Sequence, residues 1–348
     1  MSQISDLVEE RFSTLELTQA INKRDNEYGL LNSLGLFSEV GTQHREVKIE
    51  SRSQHLHIIP SSPVGTPAPA DDDPDGRNVR VLPTTRHAKK YTVLAEELQG
   101  VRKFGSDDET EAVDDKVLEK LDLGQREHRQ TKEFLRWGAL KGDVYDADGA
   151  TVLFNTYDVM GETQKTVNYA LNGAGVDPIQ DANDELLDYL EDEALGEVIN
   201  GVMLLCSPGF MTSMQKNAAF REAYKYHAEA AREVNPNRQS LRRPFEFKDV
   251  MFWRHRGSCS FKKSDGSIVN HKFIADNEAI AVPIGTYETF RSFFGPAEFM
   301  ETVNTIGEEI YVKPKVMDLD MGVEMHTFSH QLHLVTKPRL VTKITLSA

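Results

Sequence analysis

The chain has 348 residues, enough for one large domain or two ordinary ones around an ample core. Its 40 Lys and Arg residues face 55 Asp and Glu, a formal charge of -15, which argues against a nucleic-acid binder working mainly through phosphate contacts. No run approaches the roughly 18 uninterrupted apolar residues of a membrane helix, and residues 1–10 lack the positive start and apolar centre of a signal peptide; we expect a soluble, intracellular protein with no membrane partner.

Residues 1–40 carry a short amphipathic pattern: Phe12, Leu15, Leu17 and Ile21, then Leu30, Leu31, Leu34, Leu36 and Phe37. This is the pattern of an arm in need of a partner surface. Next, Val47, Ile49, Ser51 and Ser53 alternate as one face of a strand, Leu56, Ile58 and Ile59 follow, and Val79 and Val81 resume the extended pattern. The break between them runs from Pro60 through Pro63, Pro67 and Pro69 to Gly76 and is rich in Pro, Ser and Asp. It reads as the tip of a protruding hairpin or, equally on composition, as a disordered surface loop.

Ser106 precedes Asp107, Asp108 and Glu109 in a capping-box spacing, which predicts a helix start. From there Val113, Val117, Leu121, Gly124, His128, Thr131 and Leu135 recur every three or four residues, amid charged positions that include Lys132, Glu133 and Arg136. Such a helix, ending at Gly142, is a rod on the order of 45 Å long with a narrow apolar stripe. It needs something long to lie on, and its charged flanks are expected to face water or neighbours.

After Gly142, Val144 to Phe154 predicts a hairpin turning at Asp148 and Gly149; Val144 and Asn155 stand where a calcium loop would need carboxylates. Residues 165–295 then read as a compact α/β unit. Leu186, Leu187, Leu190 and Leu195 mark a helix and Val202 to Cys206 a strand closed by Ser207, Pro208 and Gly209, with a second helix over Phe210 to Ala231. Val250 to Trp253 and Lys272 to Ile274 predict strands, with a hairpin turn at Asp265 and Gly266 between them. Ala279 to Gly285 predicts another strand, and Phe290, Phe293 and Phe294 a core cluster. In the tail, Val323 to Phe328 alternate, and Leu340, Thr342, Ile344 and Leu346 mark a closing strand expected to return to the sheet that starts at Val152.

Chemistry is sparse. Cys206 and Cys259 have no CxxC spacing and predict buried free thiols. His326, His330 and His333 would suit a metal site on a helix, and a soluble α/β metal-dependent enzyme built on them is the alternative reading. Their flanks alternate as a strand, however, which places His326 and His330 on one face and His333 on the other. His55 and His57 have no convincing third ligand, and Asn172 to Gly175 lacks the third glycine of a dinucleotide fingerprint. With no nucleophile elbow, P-loop or H-E-x-x-H motif, neither a cofactor nor a catalytic residue is expected.

The run Phe293-Phe294-Gly295-Pro296-Ala297-Glu298-Phe299-Met300-Glu301-Thr302-Val303-Asn304 resembles the return segment of lambda-type major capsid proteins of tailed phages, the major head protein E family. Lys313 to Lys315 and Gly322 to Glu324 continue it, and Leu140 to Gly142 with Asp146 to Gly149 resemble the family's helix exit and hairpin. The resemblance implies an α+β fold of the Hong Kong 97 type: an N-terminal arm at 1–40, an extended loop at 41–105 and a spine helix at 106–142. It further implies a peripheral domain at 143–170 and 290–348 and an axial domain at 171–289. It implies a non-enzymatic shell subunit that self-assembles into hexamers and pentamers of an icosahedral head around double-stranded DNA, held without sequence-specific binding. The implied partners are other copies, a scaffold protein, a portal and, in some shells, a decoration protein; the implied location is the virion, after assembly in the bacterial host cytoplasm. On this reading Pro60, Pro63, Pro67, Pro69 and Gly76 belong to an intersubunit clasp, while Gly124 and His128 are close-packing positions under an overlying strand or loop.

Overall fold

The computed structural model describes residues 14–22, 29–52, 77–98, 113–171, 177–194, 198–218, 220–226, 244–262 and 266–347. The Pro60 to Gly76 tip, His55, His57, the Ser106 capping box, the Asn172 to Gly175 run and Leu195 lie outside these residues.

Two short helices, α1 (Thr14–Asn22) and α2 (Leu30–Leu34), precede β1 (Ser38–Gly41). A hairpin of β2 (Glu46–Arg52) and β3 (Arg77–Pro83) pairs antiparallel, followed by β4 (Thr85–Leu94) and a single turn, α3 (Ala95–Leu98). The long helix α4 spans Val113–Lys141 and stops where Gly142 takes a φ of 104°, a conformation open to glycine. Next come β5 (Asp143–Tyr145) and β6 (Val152–Asn155), which form the predicted hairpin with Gly149 in its turn, then α5 (Thr156–Met160), capped by the Asn155 side chain.

The remaining elements are β7 (Thr166–Ala170), α6 (Pro178–Glu193), β8 (Gly201–Cys206), α7 (Pro208–Met214), β9 (Phe245–Phe247), β10 (Val250–Arg254), β11 (Ser258–Lys262), β12 (Ile268–Lys272), β13 (Glu278–Ile284), β14 (Phe290–Phe294), β15 (Tyr311–Val316), β16 (Gly322–Val335) and β17 (Thr342–Ser347). They build two main sheets. In one, β1, β14, β16 and β15 are ordered side by side and β4 pairs with β16; in the other the order is β7-β17-β13-β8-β10-β9.

The second sheet is covered on both faces, as its nearly continuous apolar strands require. Val202, Leu204 and Cys206 of β8 face a core shared with Ile179, Leu186 and Leu190 of α6 and Phe210 and Met214 of α7. Met203 and Leu205, the alternate residues, face a core with Trp137 and Leu140 of α4 and the β11–β12 hairpin. Cys206 and Cys259 are buried free thiols.

Five expectations are corrected. The closing strand β17 lies between β7 and β13, so it enters the second sheet instead of joining β6, whose partner is β5. Ile344 of β17 is fully buried there, and strand alternation alone cannot say which sheet will bury it. Described parts of the arm are satisfied within the chain: Leu17 and Ile21 of α1 pack with Val117, Leu121, Val312 and Met325. Lys132, Glu133 and Arg136, expected on a solvated flank, are buried. The helix predicted from Phe210 to Ala231 breaks after Met214; Ser207 caps its first part, and Asn217 holds the amide of Phe220 where helix resumes. The strand expected at Lys272 to Ile274 ends at Lys272, because the chain turns there to bury Phe273 beside Trp137.

Candidate assembly surfaces

The long helix lies across one face of the first sheet. A Cβ placed on Gly124 would stand 3.1 Å from Tyr91 Cε2 and 3.6 Å from Thr327 Cγ2, so the absence of a side chain sets how closely β4 and β16 approach. One turn on, His128 Nε2 is 2.9 Å from Thr327 Oγ1, whose proton goes to the Lys89 carbonyl at 3.1 Å. The hydroxyl must therefore accept, and His128 carries its proton on Nε2. Burial, reinforced by His87, pushes the His128 imidazole down to about 4. Beside them Tyr91 donates to Glu127, which also binds Lys89 at 2.5 Å. Gly124 and His128 thus form a helix–sheet seam inside the subunit.

Toward its C-terminal end the helix holds the arm. Glu133 accepts from the backbone N–H of Leu31 at 2.9 Å, that of Asn32 at 3.0 Å, and Trp137 Nε1 at 2.9 Å. It is the N-terminal cap of α2, supplied from another helix. Burial raises its carboxyl above the usual range against the pull of those donors. Arg136 is buried across the sheet, donating to Asn32 Oδ1 at 2.8 Å, Glu39 Oε1 at 2.6 Å and Ser292 Oγ at 2.9 Å. Lys132 joins Glu39 at 3.1 Å and Glu309 at 2.5 Å. Burial works to raise the Glu39 carboxyl, yet Lys132 and Arg136 together hold it below its ordinary value. The sequence showed only helical charge here; the one local hint was the Glu133 and Trp137 pair at i, i+4.

The histidine segment is strand, and it does not converge. His333 points to the helix side, with Nδ1 2.7 Å from Ser292 Oγ and Nε2 3.1 Å from Gln331 Oε1. Full burial and the neighbouring Arg136 hold it well below 6.5. His330 faces the opposite side, and burial with Arg45 nearby takes it to about 4. His326 shares that outer side and meets Glu324 at 3.2 Å. Among the described residues no three His, Cys, Asp or Glu side chains are arranged to hold a metal ion.

The outer side of the same sheet is cationic. Lys90, His326 and Lys313 stand opposite one another across β4, β16 and β15, Arg86 is opposite His330, and Lys315 is opposite Glu324. Arg86 lies 5.0 Å over the Phe328 ring and Lys313 lies 5.6 Å over Phe299. Glu298, Glu301 and Glu324 bind Arg86, Lys313 and Lys90 at 3.1, 2.5 and 2.9 Å. The root of the β2–β3 hairpin covers only the far end of this side, where Val47 packs on Phe293 and Leu332. From there β3 runs toward α5, with Arg80 Nη1 3.7 Å from Met160 Sδ, while β4 runs the other way along β16.

A sequence model for "Phage major capsid protein E" matches residues 13–346. The chain is 27% identical over 350 residues to the major capsid protein of Pseudomonas phage KPP10 and 26% identical over 370 residues to that of Salmonella phage Felix O1, covering 97% of each chain in both cases. Among solved structures it is similar to a putative prophage capsid protein of E. coli CFT073, with a TM-score of 0.54 at 14% identity over 97% of this chain and 99% of that one. It is likewise similar to the capsid of Ralstonia phage GP4, with a TM-score of 0.52 at 12% identity over 90% of this chain and 88% of that one. The long helix laid on a sheet, the two-stranded β2–β3 hairpin and the separate covered sheet are therefore the Hong Kong 97-type α+β capsid fold, and the chain belongs to the phage major capsid protein E family.

Proposed function

We propose that this major capsid protein self-assembles into hexamers and pentamers of an icosahedral head around double-stranded DNA, working with a scaffold protein and a portal in the host cytoplasm. The observation that carries the reading is the family match along nearly the whole chain, on a fold whose β2–β3 hairpin forms a two-stranded sheet of its own outside the two main sheets. Closed shells need heterologous contacts repeated by symmetry, and such a hairpin supplies one half of such a contact. The other half is a surface on the next copy. In this reading 41–105 is the extended loop, with Pro60, Pro63, Pro67, Pro69 and Gly76 in its clasp, and the seam at Gly124 and His128 keeps helix and sheet at a fixed angle so that assembly contacts meet. We infer a purely structural role; its support is that His330 and His333 face opposite sides of β16 and are engaged in packing.

Electron microscopy and sedimentation of the purified full-length chain, alone and with its scaffold protein, test the proposal. Shells or capsomer rings are expected. A monodisperse small oligomer under both conditions would refute it.

A further inference from the structure

The second sheet ends in an open cleft of about 880 Å³, where β8 begins and β13 finishes. The last turns of α6 wall one side with Leu187 and Glu191, and the β9–β10 hairpin walls the other with Glu246, Asp249 and Met251. Leu187, Ile199, Met251 and Ile284 line it half-buried, so apolar surface faces solvent at the end of a sheet whose two faces are covered. The walls carry one sign of charge. Glu191, Glu246 and Asp249 are exposed, and none has a cation among the described residues, whereas Glu185 and Glu193 of the same helix pair with Lys165 and Arg339.

The hairpin wall is fixed in this form. Lys248 and Asp249 of its turn both stand at positive φ, 51° and 64°, and the buried Asn183 amide donates to the Phe247 and Lys248 carbonyls at 3.3 and 3.1 Å. Asn183 in turn accepts from Tyr169 at 2.7 Å. Lys248 is drawn off to Asp177, the cap at the opposite end of α6, which leaves Asp249 on the cleft without it. The acidic wall is therefore preformed, and a partner that enters meets little ordering cost.

An entrant has to bring apolar side chains for the floor and cations for the rim, which rules out a polyanion such as nucleic acid. The cleft opens at strand ends and offers no row of free backbone groups; the Asn200 amide there is already given to the Ile284 carbonyl at 2.9 Å. Side chains must carry the contact, as they do on an amphipathic helix laid in a groove. Among the described helices only α4 and the stretch that resumes at Phe220 contain Lys or Arg, and both are packed into their own subunit, on the first sheet and on Phe245. The matching helix is thus to be sought on a different protein.

We propose that this cleft docks a cationic amphipathic helix of a second, different protein, its apolar side chains on Leu187, Ile199, Met251 and Ile284 and its Lys or Arg side chains paired with Glu191, Glu246 and Asp249. The site goes beyond the self-assembly reading, since it is complete in one subunit and needs no shell. Its charged rim steers encounter and weakens as salt rises.

The probe is a labelled synthetic helix of about 18 residues with Leu at i, i+3, i+4 and i+7 and Lys elsewhere, titrated with unassembled full-length chain and read by fluorescence anisotropy. Binding with a Kd of micromolar order is expected. Glu191→Lys, Glu246→Lys and Asp249→Lys together should weaken it about tenfold or more, whereas the same change of net charge at a distant acidic site, Glu96→Lys, Glu97→Lys and Asp318→Lys, should weaken it less than about threefold. Ile199→Ser, which leaves every charge in place, should weaken it about fivefold. A second peptide with Glu in place of Lys should be rejected by the wild type and taken up by the reversed cleft, which a misfolded variant would not do. Equal losses in the two triple variants, or undiminished binding in Ile199→Ser, overturn the proposal. So do cleft variants that leave peptide binding intact and change the sedimentation of the chain instead, which would give the cleft to a second copy. Shells from a chain that takes no peptide overturn this proposal alone, and a chain that binds peptide but never assembles overturns only the self-assembly reading.

Discussion

Glu133→Ala tests the arm clamp directly. The substitution strips acceptors from the Leu31 and Asn32 amides and from Trp137 Nε1, in a place where Leu31 and Trp137 are buried. Each orphaned buried donor costs about 1–3 kcal/mol, and relief from burying a carboxylate returns part of it; a net loss of about 3–5 kcal/mol is expected. Glu133→Gln keeps one acceptor oxygen and should lose about 1–2 kcal/mol. A 348-residue chain with more than one core need not unfold in one step, so the loss is best read locally. Hydrogen exchange should speed up across residues 30–41 by about a hundredfold or more in the Ala variant, and by about tenfold in the Gln variant, while β8 and β13 stay protected. Wild-type exchange across 30–41 in Glu133→Ala would show that the Glu133 clamp contributes nothing and that this stretch is held by the pairing of β1 with β14 and by the Arg136 and Lys132 contacts to Asn32 and Glu39.

Gly124→Leu should block assembly by pushing Tyr91 and Thr327 off the helix, whereas Gly124→Ala, meeting Tyr91 at 3.1 Å, should lose no more than about 1 kcal/mol; shell yield and melting of both variants decide this. Well-packed shells from the Leu variant would remove Gly124 from the assembly reading. Deleting residues 61–75 should leave the circular dichroism of the subunit intact and reduce shell yield or stability. Acid should weaken the subunit: His128 and His330 titrate near 4 when folded against 6.5 when free, and His333 also lies below 6.5. The unfolded chain then binds more protons in this window, so stability is complete above pH 6.5 and falls toward pH 4, by up to about 1.4 kcal/mol per pH unit for each histidine. Melting of unassembled chain from pH 7 to 4.5 should show that slope, reduced in His128→Gln; a flat profile would refute the buried-neutral assignment.

Local signals carried much of the fold. Asp148 and Gly149 marked a hairpin that is there, Val202 to Cys206 read as a buried strand, and the alternation of Val323 to Phe328 separated strand from helix and split the histidines between two faces. Pairing at long range was not legible in this way. Nothing in Thr342, Ile344 and Leu346 names β7 and β13 as neighbours, since alternation encodes a face and not a partner. Lys132, Glu133 and Arg136 misled for a related reason: charge on a helix usually means solvent, and their partners at Asn32, Glu39, Ser292 and Glu309 come from three distant stretches. The cationic sheet face was equally hidden, because its lysines and arginines are dispersed along the sequence and meet only through strand register.

The position of β17 also has a consequence in time. It is wedged between β7 and β13, pairing Lys343 with Thr166 in parallel and Thr345 with Glu278 in antiparallel fashion. Until residues 342–347 emerge from the ribosome, β7 has no partner among the described strands and β13 keeps a raw edge. Such distant pairings close slowly, and an exposed edge in the meantime invites aggregation. The nascent subunit therefore cannot finish its second sheet early, and chaperone binding during synthesis should concentrate on the unpaired edge of β13. A polypeptide interrupted before residue 342 would lack the strand that joins β7 to the rest of that sheet, which bars truncated products from building a complete unit.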